Sequence, residues 1–237
     1  MIFANPELRN LPPGAGQWSI EHTLRLGGEF AAVRILNFLP SEHARSLADH
    51  LTADIVYERD EIGDTKRANR ASRSGEMPNS PLVTTSPASP PALAGLNFLT
   101  SPDWLERLSR WFGEPIQVLR PPTPYRLDAG DYVDPHDDCP APEYTLSVSL
   151  NLTNGWRPSD GGETLVGLVD RVEEYDHPEW FMPLNRWHIS DERHVVAPTF
   201  NSALLLPLSP RRAHAVRTVT HRPRYSITTL YGSVASR

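Results

Sequence analysis

Residues 144–152 read YTLSVSLNL, and from Leu146 to Leu152 apolar and small polar side chains alternate without a break. A period of two marks a strand with one face on a core, because successive side chains leave a strand on opposite sides. Asn154–Gly155 follows one residue later, a pair suited to a turn. Outward from this strand, short apolar runs recur at Ile116–Leu119, Tyr132–Val133, Thr164–Leu168, Ala203–Leu208, Ala213–Val219 and Tyr225–Tyr231, punctuated by Gly, Pro, Asn and Asp. Many short strands with such punctuation predict a sandwich or barrel.

The N-terminal half reads differently. Phe30–Leu39 is a β-like run ending at Pro40; Ser41 is then a candidate N-cap, and Ala44, Leu47, Ala48 and Leu51 recur at helical spacing. Ile55–Tyr57 suggests a short strand. Ser101 before Pro102 opens a second helix through Trp104, Leu105, Leu108, Trp111 and Phe112. From about Arg59 to Leu96 the chain is polar and rich in Ser, Pro, Gly and Asn, which predicts a long loop, either solvated or a flap over a site. The first 17 residues read as irregular. With 24 prolines against 14 glycines, the chain favours many short elements over a long-helix bundle. Its 237 residues suit one domain: a helix-containing support region over residues 18–115 and a β-rich core over 116–237.

The net charge of −6 and the absence of a basic stripe argue against nucleic-acid or membrane-surface partners. No apolar run is long enough for a membrane span, and the start lacks a secretory h-region, so the expected location is the cytoplasm. Cys139 is the only cysteine, which excludes an internal disulfide. Lys66 is the only lysine. Oligomeric state leaves no trace in the sequence.

The chemistry-bearing stretch is YRLDAGDYVDPHDDC, residues 125–139. On an extended strand His136 and Asp138 would share a face and reach one metal ion, while Asp137 and Cys139 would turn away, Cys139 as a plain buried thiol. A His-x-Asp pair alone is also what a surface turn contains. Further text adds weight: Asp160-Gly161-Gly162-Glu163 after the strand, His214 in a β-like run, and Arg224 ten residues beyond it. Two histidines and one carboxylate with open positions form the ligand set of non-haem iron(II) oxygenases. A nearby Arg is what a dicarboxylate cosubstrate requires, since guanidinium pairs carboxylate through parallel hydrogen bonds.

In these residues the sequence resembles the 2-oxoglutarate and iron(II)-dependent dioxygenases, in their prolyl-hydroxylase-like branch, and most of all the enzymes that hydroxylate a prolyl residue of a ribosomal protein. The resemblance runs from about Gln117 to Gly232. It implies a mainly β fold with flanking helices around a double-stranded β-helix, or jelly roll. It also implies that His136, Asp138 and His214 bind Fe(2+), that Arg224 anchors the far carboxylate of 2-oxoglutarate with Ser226 assisting, and that Tyr125 hydrogen-bonds the cosubstrate. Dioxygen is the second cosubstrate, and no catalytic residue beyond the metal ligands is implied. With Asp138 filling its position, halogenation is not expected.

What the resemblance implies as activity is hydroxylation of an unactivated C–H bond with decarboxylation of 2-oxoglutarate to succinate. The substrate reading favoured here is an amino-acid-derived or other small metabolite. The alternatives are a peptidyl proline, a non-catalytic metal or 2-oxoglutarate sensor, and a metal-only cupin. The segment between Gly167 and Val195 reads as an insertion that, with the Arg59–Leu96 segment, covers the site mouth; Trp180 and Trp187 are its candidate substrate-facing aromatics. His22, His43, His50, His177, His188, His194 and His221 read as structural or exposed, Trp156 as packing and Glu163 as structural.

Overall fold

The computed structural model describes residues 19–233 apart from 76, 78, 140 and 180–182, with backbone alone for 19–22. The irregular start, Trp180 and the side chain of His22 therefore lie outside the described residues. The strands are β1 (Ser19–Leu26), β2 (Glu29–Leu36), β3 (Tyr57–Ile62), β4 (Lys66–Ala71), β5 (Ile116–Leu127), β6 (Tyr132–His136), β7 (Tyr144–Asn151), β8 (Thr164–Tyr175), β9 (Leu184–Val196), β10 (Ser202–Pro207), β11 (Arg212–Val216) and β12 (Arg224–Ser233). The helices are α1 (Ser41–Ala53), α2 (Pro90–Phe98) and α3 (Pro102–Phe112).

Eleven of the strands follow the order β1-β2-β10-β7-β12-β5-β4-β6-β11-β8-β9, with β3 paired to β4. The sheet curls so that its ends approach: the backbone N–H of Gly27 donates to the Glu192 carboxylate, and His194 Nε2 lies 2.8 Å from Arg25 O. This nearly closed, mainly β architecture with flanking helices is the expected jelly-roll class.

The alternation that opens the sequence reading has a definite partition. Leu146, Val148 and Leu150 are fully buried in one core with Phe38, Leu47, Leu51, Leu99, Trp104 and Leu108 from the helical side. Fully burying each such side chain contributes about 1.5–3 kcal/mol. Ser147 and Ser149 point the other way, into a cavity inside the roll rather than into water. Strand β12 divides likewise: Ile227 and Tyr231 enter the helical core, whereas Arg224, Ser226 and Thr228 line the cavity. Trp104 clamps helix to sheet by donating from Nε1 to Tyr231 Oη at 3.0 Å, and that hydroxyl donates on to Leu99 O at 2.7 Å.

Several expectations need correction. The Arg59–Leu96 segment is not a long loop: it holds most of β3, all of β4 and most of α2. Its polar text reflects a hairpin in which β3 has no buried position and β4 buries the adjacent Ala68 and Asn69 together with Ala71, so period-two apolar alternation never develops. The Gly167–Val195 segment is the continuation of β8 and its return as β9, a long antiparallel hairpin. Strand β1 was not foreseen. The N-cap of α1 is Pro40 with no side-chain cap bond, whereas Ser101 caps α3 as expected, accepting from Trp104 N at 3.3 Å. Strand β5 runs through Pro121, Pro122 and Pro124 because β4 pairs it only at Tyr125 and Arg126, leaving the proline stretch a free edge there. Among the described residues no helix is long and apolar enough to cross a membrane.

Candidate functional site

Strands β6 and β11 set His136 directly opposite His214, their ring centroids 4.2 Å apart. His136 is the last residue of β6, so strand alternation does not carry Asp138 to the same face. The chain turns instead. Asp138 takes a left-handed backbone (φ 53°), while Asp137 Oδ1 accepts from Cys139 N at 3.1 Å and stabilises the turn. Cys139 is only half-buried, its thiol 3.6 Å from Ala141 O. The turn brings the Asp138 carboxylate 3.5 Å from His136 Nε2 and 3.2 Å from His214 Nε2. One ligand atom from each of the three residues lies within 4.8 Å of the others.

Neighbours hold these groups in metal-ready forms. His136 Nδ1 lies 2.9 Å from Asp134 O, a carbonyl that can only accept, so Nδ1 carries a proton and Nε2 is the nitrogen that can give up its proton to take a metal. Ser147 Oγ donates to Asp138 Oδ2 at 3.1 Å. Burial acts to raise the Asp138 carboxyl, but the charge of His136 and hydrogen bonds from both imidazoles win and hold it well below its usual range. Burial, then the charge of His136, lowers His214. A carboxylate facing two imidazole nitrogens is the donor set that a divalent transition metal takes.

Arg224, at the start of β12, is 3% exposed. Its Nη2 donates to Asn151 Oδ1 at 3.1 Å and Thr164 Oγ1 at 3.3 Å. Nε and Nη1 are buried without any partner, and among the described residues no carboxylate pairs with the guanidinium. Burial pushes its pKa down to about 10, opposed only by Glu163 nearby. A buried cation with two unanswered donors matches a ligand carboxylate. Gly162 makes room for it: at φ +75°, an added Cβ would lie 3.3 Å from Arg224 Cδ.

Both groups face one cavity of about 360 Å³. Ser226 and Tyr125, partners across β12 and β5, line it, with the Lys66 ammonium 4.9 Å from the Tyr125 ring centre. Ile62, Thr65 and Lys66 of the β3–β4 hairpin form one wall; Leu184, Asn185 and Trp187 of β9 form another. Asp64 Oδ2 joins the walls through Arg186 at 2.6 Å, and Tyr175 hydrogen-bonds the same carboxylate. All six site residues singled out in the sequence thus surround one cavity, as does Trp187. Sequence reasoning missed Asn151, Thr164, Ser147 and Lys66. The polar half of SVSLN and the isolation of a single lysine were the available signals. The other described histidines lie elsewhere, His50 against Asp54 at 2.8 Å and His188 against Glu173 at 3.3 Å.

With this geometry established, residues 123–232 match the family model described as "2OG-Fe(II) oxygenase superfamily". Residues 123–232 form a 2OG-Fe(II) oxygenase domain. The chain is accordingly a 2-oxoglutarate-dependent iron dioxygenase, with Fe(2+), 2-oxoglutarate and dioxygen as its cofactor set. Among solved structures, the dioxygenase resembles a prolyl-4-hydroxylase from Pseudomonas putida, at 14% identity and a TM-score of 0.59, over 86% of this chain and 93% of that one. A prolyl hydroxylase from Trichoplax adhaerens, solved with a hypoxia inducible factor oxygen degradation domain peptide fragment, gives 16% identity and 0.59 over 86% and 84%. A 2OG-Fe(II) oxygenase family oxidoreductase from Burkholderia pseudomallei gives 22% and 0.52 over 85% of each chain. At such identities the likeness shows the fold. No curated protein matches the dioxygenase in sequence.

Proposed function

We propose that His136, Asp138 and His214 hold the iron, that Arg224 receives the far carboxylate of 2-oxoglutarate with Ser226 and Tyr125 beside it, and that the enzyme hydroxylates an unactivated C–H bond of an amino-acid-derived or other small metabolite. The observation that carries this reading is the pair of orphaned donors on Arg224, in the same cavity as the three ligands. When bound, iron and 2-oxoglutarate together supply the reduction of dioxygen, releasing succinate and carbon dioxide and delivering one oxygen atom to carbon.

The chain's own residues do the positioning. Asp134 O fixes the His136 tautomer, Ser147 fixes the Asp138 carboxylate, and Asn151 and Thr164 aim Arg224. Leu127, Val133, Leu206 and Val216 give the cavity an apolar lining that sheds water and strengthens each polar contact. The join between the walls through Asp64 and Arg186 favours a small substrate over a long threaded peptide. The likeness to prolyl hydroxylases keeps a peptidyl proline as the second reading. Succinate release, measured with free amino acids and short prolyl peptides in parallel, separates them. Stimulation by peptides alone overturns the small-metabolite reading.

A further inference from the structure

Positive charge gathers next to the iron cavity. A groove of about 570 Å³ is lined by Arg70, Arg73 and Arg120, against Glu58 as the sole carboxylate among its described lining residues. It shares Arg120 and Tyr125 with the iron cavity, so the two spaces adjoin around the Tyr125 ring. The chain as a whole carries −6, which makes this local excess of cations a departure from its surroundings.

The three guanidiniums are not equivalent. Arg70 meets Glu58 at 3.4 Å. Arg73 is tied by Nη1 to Ser80 O at 2.7 Å and by Nη2 to Pro122 O at 3.2 Å and Thr123 Oγ1 at 3.5 Å. Those acceptors fix its direction, and among the described residues no carboxylate pairs with its charge. Arg120, two residues before Pro122 on β5 and opposite Leu230 of β12, makes no side-chain hydrogen bond or ion pair among the described residues. Burial, and then the neighbouring Arg70 charge, press Arg73 below the usual guanidinium value, so a bound anion would relieve it.

We propose that Arg73 and Arg120 bind the acidic group of the primary substrate, which is a small carboxylate- or phosphate-bearing molecule reaching past Tyr125 to the iron. This rests on the reading of the cavity as the iron site. Arg224 lies buried at the start of β12 and serves the cosubstrate; Arg73 and Arg120 lie in the adjoining groove and serve the substrate. The planar fork of an arginine suits a single carboxylate or phosphate. An extended acidic polymer is disfavoured because, beyond Arg70, which already meets Glu58, no further arginine or lysine is among the described residues lining the groove.

The test is calorimetry on the iron-loaded enzyme, anaerobic and saturated with 2-oxoglutarate so that Arg224 is occupied. The probes are N-acetyl-L-aspartate, its neutral diamide and a short polyglutamate peptide. The expected result is saturable binding of N-acetyl-L-aspartate but not of the diamide, weakened about tenfold or more by Arg73→Gln and by Arg120→Gln, while each variant still takes up 2-oxoglutarate. No binding of the acid, equal binding of the diamide, indifference to both substitutions, or binding of polyglutamate alone overturns the proposal. Failure of the wild type to take up 2-oxoglutarate would instead count against the cofactor reading, and the acid titration still reads the groove with iron alone.

Discussion

Arg224 Nη2 donates to Asn151 Oδ1 at 3.1 Å across the β12–β7 pair, and this leaves Nε and Nη1 of the same guanidinium buried without partners. The contact aims the cation without neutralising it. Arg224→Met should therefore cost the ligand-free protein little stability, because an unanswered buried charge is removed along with its contacts. The same substitution should weaken 2-oxoglutarate binding by about 2–5 kcal/mol, or roughly thirtyfold to several thousandfold. Thermal melts with and without 2-oxoglutarate check both: the ligand should raise the midpoint of the wild type and leave Arg224→Met unmoved.

Ser147 holds Asp138 from the opposite strand layer. Ser147→Ala removes that donor while keeping the fold, since the position needs only a small side chain facing the cavity. Iron affinity should fall about tenfold to a hundredfold, with far-ultraviolet dichroism unchanged. Competition with a metal indicator measures the affinity directly.

Protonation should tune the metal-free protein in a defined direction. Burial opposes a charged His136, but the Asp138 charge and hydrogen bond prevail and raise its pKa above the ordinary value of 6.5. A group whose folded pKa is raised adds stability that is fully present below the unfolded pKa and is lost as pH rises through the folded value. The melting-temperature gap between metal-free wild type and His136→Gln should thus be wider at about pH 5.5 than at about pH 8. With iron at the proposed site the sense should reverse, because a metal takes the neutral imidazole.

Tyr231 and Gly161 test the frame that carries the site. Tyr231→Phe removes the hydrogen bonds from Trp104 Nε1 and to Leu99 O in a buried core, a loss of about 1–3 kcal/mol in denaturant titrations. Gly161 sits at φ +69°, and an added Cβ would meet Thr218 O at 2.3 Å. Gly161→Ala should therefore destabilise by about 2 kcal/mol or more and lower 2-oxoglutarate affinity through the displaced neighbouring Gly162 and Arg224.

The jelly-roll half was legible because its strands have one apolar face, as Leu146, Val148 and Leu150 show. Strand β3 carries exposed or half-exposed charge on four of its six positions, and β9 is exposed or half-exposed everywhere but Val196, so no period emerged and they read as loop and insertion. The meeting of His136, Asp138, His214 and Arg224 was anticipated, yet the route was different. Asp138 reaches the site through a left-handed turn beyond the end of β6, not through strand alternation. Ser147 and Thr164 escaped notice because small polar residues on a strand ordinarily face water, and here that face encloses the cavity, while Asn151 acts through its bond to Arg224.

Metal-free protein, mixed anaerobically with iron(II) and then with 2-oxoglutarate, decides the cofactor assignment. The expected result is a weak visible charge-transfer band that needs both additions, is abolished in His136→Ala, and needs far more 2-oxoglutarate in Arg224→Ala. Absence of the band in folded, iron-loaded wild type, or its persistence unchanged in His136→Ala, would contradict the placement of iron and cosubstrate in this cavity.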